Sequence, residues 1–225
     1  MGPYPLSPRR DLFGHPVHAK GKRTGGDSYY TDTRLAQVLV DLLPLNPGDV
    51  VLEPSAGGGA FCVALESRGC TVQALDVDPR APALHMARPW QQRAGDFLTA
   101  DVGRPQWVVG NPPYAVPGEP KKCSRCKGHA QGCIKCQGSG KTRPMVPMAE
   151  HHARRGLEVA TRGVAMLLRL ALLAGQKRSL LWRSHPPSIV HVLPQRPSFT
   201  GGGTDQYDYG WFVWDNAPTW MGSCV

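Results

Sequence analysis

The chain has 225 residues, which at roughly 100 to 200 residues per domain leaves room for one substantial domain with a small insertion and excludes a large multidomain machine. Hydrophobic residues make up 41%, enough for a real core, while 26 glycines and 22 prolines imply many turns and a net charge of +9 favours a polyanionic partner. The apolar stretch Gly163 to Gly175 is interrupted by Arg169 and falls short of the roughly 20 residues a bilayer requires, and no apolar signal region follows Met1 to Arg10, so no membrane span and a cytoplasmic location are expected.

Residues 1–28 are rich in Pro, Gly and basic side chains without apolar periodicity and read as a flexible arm. From Thr31 the spacing Leu35, Val38, Leu39, Leu42, Leu43 predicts a helix, with Thr31 or Asp32 as its N-cap. Asp49 to Glu53 then reads as a buried strand, Gly57-Gly58-Gly59 as a turn and Ala60 to Ser67 as a helix. Thr71 to Val77 is the next strand, Pro82 to Met86 a short helix, and Gln106 to Val109 a strand that runs into Asn111-Pro112-Pro113-Tyr114, where two prolines deny the ladder its donors. A cysteine-rich island at 117–147 interrupts the pattern. Met148 to Arg162 resumes helical spacing, and Val164 to Leu168, Ile189 to Leu193 and Tyr209 to Trp214 are strands, with a basic helix around Ala171 to Arg183 and a turn at Gly201-Gly202-Gly203. Tyr207, Tyr209 and Trp211 alternate with Phe212 and Trp214 as half-buried strand residues would. Alternation of strands and helices predicts an α/β, Rossmann-like doubly wound sheet made from 29–116 and 148–225.

A strand-to-helix turn that a cofactor approaches closely needs residues without a Cβ, and Gly57 to Gly59 stand at that turn. An acid at the tip of the second strand is placed for a ribose diol, and Asp76 has that offset, with Val77 beside it. The third glycine of a dinucleotide fingerprint is absent, which disfavours nicotinamide. A nucleobase amine is a poor nucleophile because its lone pair is delocalised. The Asn111 side-chain oxygen and the Pro112 carbonyl can accept its two N–H groups and localise that pair, while the Tyr114 ring offers a stacking face.

Asn111-Pro112-Pro113-Tyr114 behind Glu53-Pro54-Ser55-Ala56-Gly57-Gly58-Gly59 resembles the S-adenosylmethionine-dependent amino-methyltransferases, most closely the adenine-N6 DNA methyltransferases. Tyr29-Tyr30-Thr31 resembles the family's segment around the methionine moiety, and Gly95-Asp96-Phe97-Leu98 its cofactor-adenine motif. The resemblance implies S-adenosylmethionine as cofactor. It makes Tyr29, Tyr30, Thr31, Glu53, Pro54, Ser55, Ala56, Gly57, Gly59, Phe61, Asp76, Val77, Asp96, Phe97 and Asn111 its contacts, and Asn111, Pro112, Pro113 and Tyr114 the catalytic residues. It implies direct methyl transfer to an exocyclic amine without a catalytic metal. DNA is favoured over RNA as the nucleic-acid partner; the tetrapeptide also resembles that of enzymes acting on RNA bases and on protein glutamine. A solitary enzyme with a short graft is reminiscent of bacteriophage-borne modification enzymes.

In the island, Cys123-x2-Cys126 and Cys133-x2-Cys136 are separated by six residues, spacing at which four thiolates converge on a structural Zn(II), a disulfide pair or free thiols being the alternatives. Cys136-Gln137-Gly138-Ser139-Gly140 resembles part of the zinc module of DnaJ-like chaperones. From Lys121 to Arg143 there are seven basic residues and no acids. Lys121, Lys122, Arg125 and Lys127, together with Arg196 and Phe199 of the second half, are therefore candidate substrate contacts.

Overall fold

The computed structural model describes residues 30–129, 131–199 and 204–216. The basic arm, Tyr29, the Gly201-Gly202-Gly203 turn and Cys224 lie outside the described residues. Helix α1 (Thr33–Asp41) is capped by Asp32, whose carboxylate accepts the N–H groups of Arg34 and Leu35 at 2.9 and 3.3 Å. Its buried row is Ala36, Leu39, Val40 with Leu43 beyond, whereas Val38 and Leu42 are exposed. The apolar stripe is thus rotated from the expected one, because the small Ala36 and its i+4 neighbour Val40 turn inward where α1 packs on α2.

In chain order follow β1 (Val50–Glu53), α2 (Ala60–Ser67), β2 (Thr71–Asp76), a 3₁₀ turn (Pro82–His85), β3 (Gln91–Ala94) and β4 (Trp107–Gly110). The cysteine segment contributes β5 (Ala115–Pro117), β6 (Lys121–Lys122), β7 (Lys141–Thr142) and β8 (Met145–Pro147); α3 (Ala149–Val159), β9 (Gly163–Arg169), α4 (Ser179–Ser184), β10 (Ile189–Val192) and β11 (Tyr209–Asp215) complete the chain. Strand β3 was not expected. The basic helix expected at 171–183 is two 3₁₀ turns, Leu170–Leu173 and Gln176–Arg178, before the short α4. Gly175, at a positive φ of 115°, separates the two turns.

Seven strands form one sheet in the order β3-β2-β1-β4-β9-β11-β10, parallel except for β11, which runs against both neighbours. The ribbons β5–β8 and β6–β7 are separate antiparallel pairs. Helix α2 stacks its Phe61 ring on Trp211, 5.5 Å away and 4° from parallel, and Trp211 pairs with Leu167 across β11 and β9. A Cβ on Gly156 of α3 would instead touch Val164 and Met166, which point to the other face of β9. The two crossover helices therefore cover opposite faces, which is the doubly wound α/β arrangement. Strands β9 and β11 are buried on both faces, so Tyr209, Trp211, Phe212 and Trp214 are core throughout rather than half-buried. No helix among the described residues is long and apolar enough to cross a membrane.

Candidate active site

Strands β1 and β4 are neighbours, Val51 opposite Trp107 and Leu52 opposite Val108, and the strand order runs outward from them in both directions. Connections leave this point to opposite faces, so a crevice opens at the carboxyl ends of the two strands. One wall is the run Glu53-Pro54-Ser55-Ala56-Gly57; the other is Gly110-Asn111. Gly57 and Gly59 have φ of +46° and +85°, in the left-handed region that a side chain rarely adopts, and Gly59 is the N-cap of α2. The Asp76 carboxylate, at the tip of β2, accepts the Gly57 N–H at 2.8 Å with one oxygen and the Asp78 N–H at 2.9 Å with the other. It holds the glycine turn open and keeps lone pairs for a further donor. Tyr30 lies over the turn, its ring 3.1 Å from where a Gly57 Cβ would be.

Glu53 is the most deeply buried charged group of the crevice, 1% exposed. Its Oε1 accepts the Ser55 N–H at 2.9 Å, and its carboxylate occupies the space where a Gly110 Cβ would be, so a side chain at the end of β4 would force the carboxylate to move. Burial, aided by the negative charge of Asp76, pushes its pKa from the usual 4.5 up to about 8 against the lowering effect of the Ser55 N–H. Among the described residues no Lys or Arg pairs with it. A buried acid in this state suits a ligand that brings its own positive charge.

Asn111 follows Gly110, just beyond the last ladder pair of β4, Gly110 with Met166. Its Nδ2 donates to Thr31 Oγ1 at 3.2 Å and its Oδ1 accepts the Tyr114 hydroxyl at 2.5 Å. The amide is thereby fixed in one orientation, its oxygen keeping a second lone pair for an acceptor N–H. Tyr114 is buried, its hydroxyl also 3.2 Å from the Leu167 carbonyl, and burial raises its phenol pKa well above the usual value. Its ring face is not open as the sequence suggested: the Arg169 guanidinium carbon lies 4.5 Å from its centroid, and Tyr209 packs beside it at 5.5 Å. Arg169 was missed by sequence reasoning. The one available signal was a cation closing the otherwise apolar β9.

The structure places the other expected contacts unequally. Pro54 and Ala56 line the turn in buried positions, with Ala56 N–H donating to the Leu75 carbonyl at 2.9 Å. Val77 is 72% exposed beside Asp76. Asp96 is exposed and caps its own turn through the Leu98 N–H, whereas Phe97 is buried against the His152 ring at 5.6 Å. Phe61 is spent on Trp211, Phe199 is buried edge-on to Tyr209 at 5.4 Å, and Arg196 is ion-paired to Asp208 at 2.8 Å. None of these three is hydrogen-bonded to Asn111 as Thr31 and Tyr114 are.

Pro112 and Pro113 lead through Tyr114 directly into β5, which pairs Ala115 with Pro147 of β8 and so roots the cysteine segment beside the crevice. The four Sγ atoms all lie within 4.8 Å of one another, with Cys123–Cys133 at 3.8 Å and Cys126–Cys136 at 3.6 Å. A tetrahedron with ~2.3 Å metal–sulfur bonds has edges of about 3.8 Å, so this cage fits one Zn(II), while a disulfide sulfur pair is only ~2.05 Å apart. Lys127 and Gln137, each one residue after the second cysteine of its knuckle, both have φ of 49°. N–H groups of Cys126 and Arg125 lower the Cys123 thiol to about 6 and those of Cys136 and Lys135 lower Cys133, whereas burial pushes Cys126 up to about 12 against the Gly128 N–H. Lys121, Lys122, Arg125 and Lys127 are exposed on this segment.

No protein-family model matches the chain. It is 33% identical over 103 residues to the ribosomal RNA small subunit methyltransferase A of Thermotoga neapolitana, a match covering 43% of this chain and 40% of the relative. A similar match, 30% over 99 residues, is found to a probable ribosomal RNA small subunit methyltransferase A of Pyrobaculum islandicum, so the chain spans about two fifths of the length of these curated relatives. Among solved structures, PH1948 of Pyrococcus horikoshii, named as an RNA methyltransferase, superposes with a TM-score of 0.60 at 14% identity, covering 88% of this chain and 93% of that one. The M protein of the type I restriction enzyme EcoKI superposes at 0.53 with 17% identity over 84% and 44% of the two chains. With its seven-stranded sheet and its crevice between β1 and β4, the chain has the Rossmann-like methyltransferase fold.

Proposed function

We propose that the protein is an S-adenosylmethionine-dependent methyltransferase that methylates the exocyclic amine of adenine in nucleic acid. The observation that carries this reading is the Asn111 amide, fixed by Thr31 and Tyr114 at the mouth of β4, across the crevice from the Gly57 turn. The donor fits the residues present: its positive charges answer the uncompensated Glu53, and Asp76, tied to the turn by Gly57, keeps acceptor capacity for a ribose. Bound there, it supplies an electrophilic methyl group on a sulfonium. The chain's part is to take the two N–H groups of the acceptor amine on Asn111 Oδ1 and the Pro112 carbonyl, so that the nitrogen lone pair points at carbon; the surplus proton leaves to water once the N–C bond has formed.

The curated relatives carry ribosomal RNA in their names, which supports RNA beside the DNA acceptor favoured by the tetrapeptide. Transfer of labelled methyl groups onto adenine-containing DNA, ribosomal RNA and protein separates the acceptors. No incorporation into either nucleic acid would overturn the reading.

The cysteine segment is read as a structural Zn(II) module that grips the acceptor's backbone. The seven cations from Lys121 to Arg143, less two charges for a tetrathiolate zinc, leave five positive charges beside the crevice. Neutralising Lys121, Lys122, Arg125 and Lys127 together should weaken nucleic-acid binding and flatten its salt dependence by up to about four in the log–log slope. An unchanged slope would remove the grip.

A further inference from the structure

Arg169 ends β9, in register with Tyr209 at the start of β11. Its side chain turns back over the crevice, and the guanidinium carbon lies 4.5 Å from the centroid of the Tyr114 ring and 3.8 Å from that of Tyr207. A planar cation is thus sandwiched between two phenol rings. The sandwich is lightly tethered: Arg169 Nε donates to the Tyr209 hydroxyl at 3.3 Å, that hydroxyl donates to Asp205 at 2.8 Å, and among the described residues no carboxylate forms an ion pair with the guanidinium. Tyr207 is 38% exposed, so the outer plate faces solvent.

The slot has a chemical address. The hydroxyl of its inner plate touches Asn111 Oδ1, so a flat group lying on the Tyr114 ring presents its edge to the catalytic amide. A purine has the shape for this space, since it is planar, stacks on phenol rings and places an edge amine beside an acceptor oxygen.

Resting on the reading of the site as an adenine methyltransferase, we propose that Arg169 is a placeholder for the acceptor base. Its guanidinium fills the Tyr114–Tyr207 slot while no base is present and must leave it before a base can stack there. In this role Arg169 is a positioning residue. It selects against solvent and against groups too weakly stacked to displace it, and it keeps the Tyr114 ring and the Asn111 amide in their working orientation between turnovers.

The test uses the full chain with its donor site saturated by S-adenosylhomocysteine, and adenosine, a neutral ligand that owes nothing to the charge of Arg169, titrated by calorimetry. Arg169→Ala should bind adenosine roughly five- to thirtyfold more tightly than the native protein, the size of two cation–π contacts that no longer need breaking, and Arg169→Lys, which keeps the charge but not the plate, should show a smaller gain. Adding Tyr207→Ala to Arg169→Ala should reverse most of that gain. In parallel, an oligonucleotide with 2-aminopurine at the acceptor position should fluoresce more strongly on Arg169→Lys than on the native protein. Equal or weaker adenosine binding by both Arg169 variants, or a gain indifferent to Tyr207, overturns the placeholder. Absence of methyl transfer by the native enzyme to any nucleic acid would instead overturn the underlying reading, and the adenosine titrations report on the slot in either case.

Discussion

Glu53 offers the sharpest physical test. In the folded chain its pKa is about 8, whereas the unfolded residue titrates near 4.5, so the folded state holds the extra proton between those values. Stability should fall as pH rises from about 4.5 to about 8 and then level off. At ~1.36 kcal/mol per pH unit, the gap corresponds to about 3–6 kcal/mol above pH 8. Glu53→Gln keeps the shape and the acceptor for the Ser55 N–H but removes the titration. Thermal and urea unfolding of both proteins at pH 5, 6.5 and 8.5, without donor, should show the variant gaining on the native chain with pH, by about 10 °C or more in Tm at the alkaline end. Taking the difference cancels groups common to both, including His152, whose folded pKa burial depresses. S-adenosylmethionine should narrow the difference, because its cationic groups give the ionised Glu53 a partner. Parallel stability curves for the two proteins would refute the reasoning.

Three further outcomes follow from the same geometry. Asn111→Ala should lower kcat by roughly 10²-fold or more with donor affinity nearly intact, whereas Asp76→Ala should weaken donor binding and loosen the Gly57 turn; single-turnover transfer and calorimetry check the division. Gly110→Ala should cost about 1–3 kcal/mol by overlap with the Glu53 carboxylate, and pairing it with Glu53→Ala should restore most of the loss in urea unfolding. Metal analysis should find one zinc per chain, and Cys123→Ser with Cys126→Ser should lose it while near-ultraviolet dichroism of the buried Trp107 and Trp211 stays unchanged.

The crevice was legible because strand ends, glycine turns and a tetrapeptide with two prolines are local signals: each comes from a few adjacent residues whose backbone limits are strict. The four cysteines were legible for the same reason. Strand β3 was not, because Gln91-Gln92-Arg93-Ala94 sits at an edge of the sheet, mostly exposed, and carries no apolar alternation; its place is set by pairing with Gln73 to Asp76. The rotation of α1 was missed because Ala36 weighs little in an apolar count yet decides how closely α2 approaches. Phe61, Phe97 and Phe199 turned inward for want of any sequence signal that separates a stacking platform from core. Arg169 gains its position only when β11, forty residues later, lies down beside β9.

The ribbon formed by β5 and β8 lets the chain depart from and return to the crevice at a single paired doorway, Ala115 against Pro147. The two ribbons of that segment share no ladder pair with the seven-stranded sheet. The segment can therefore be lengthened, recharged or exchanged without breaking a single rung of the ladder that shapes the crevice.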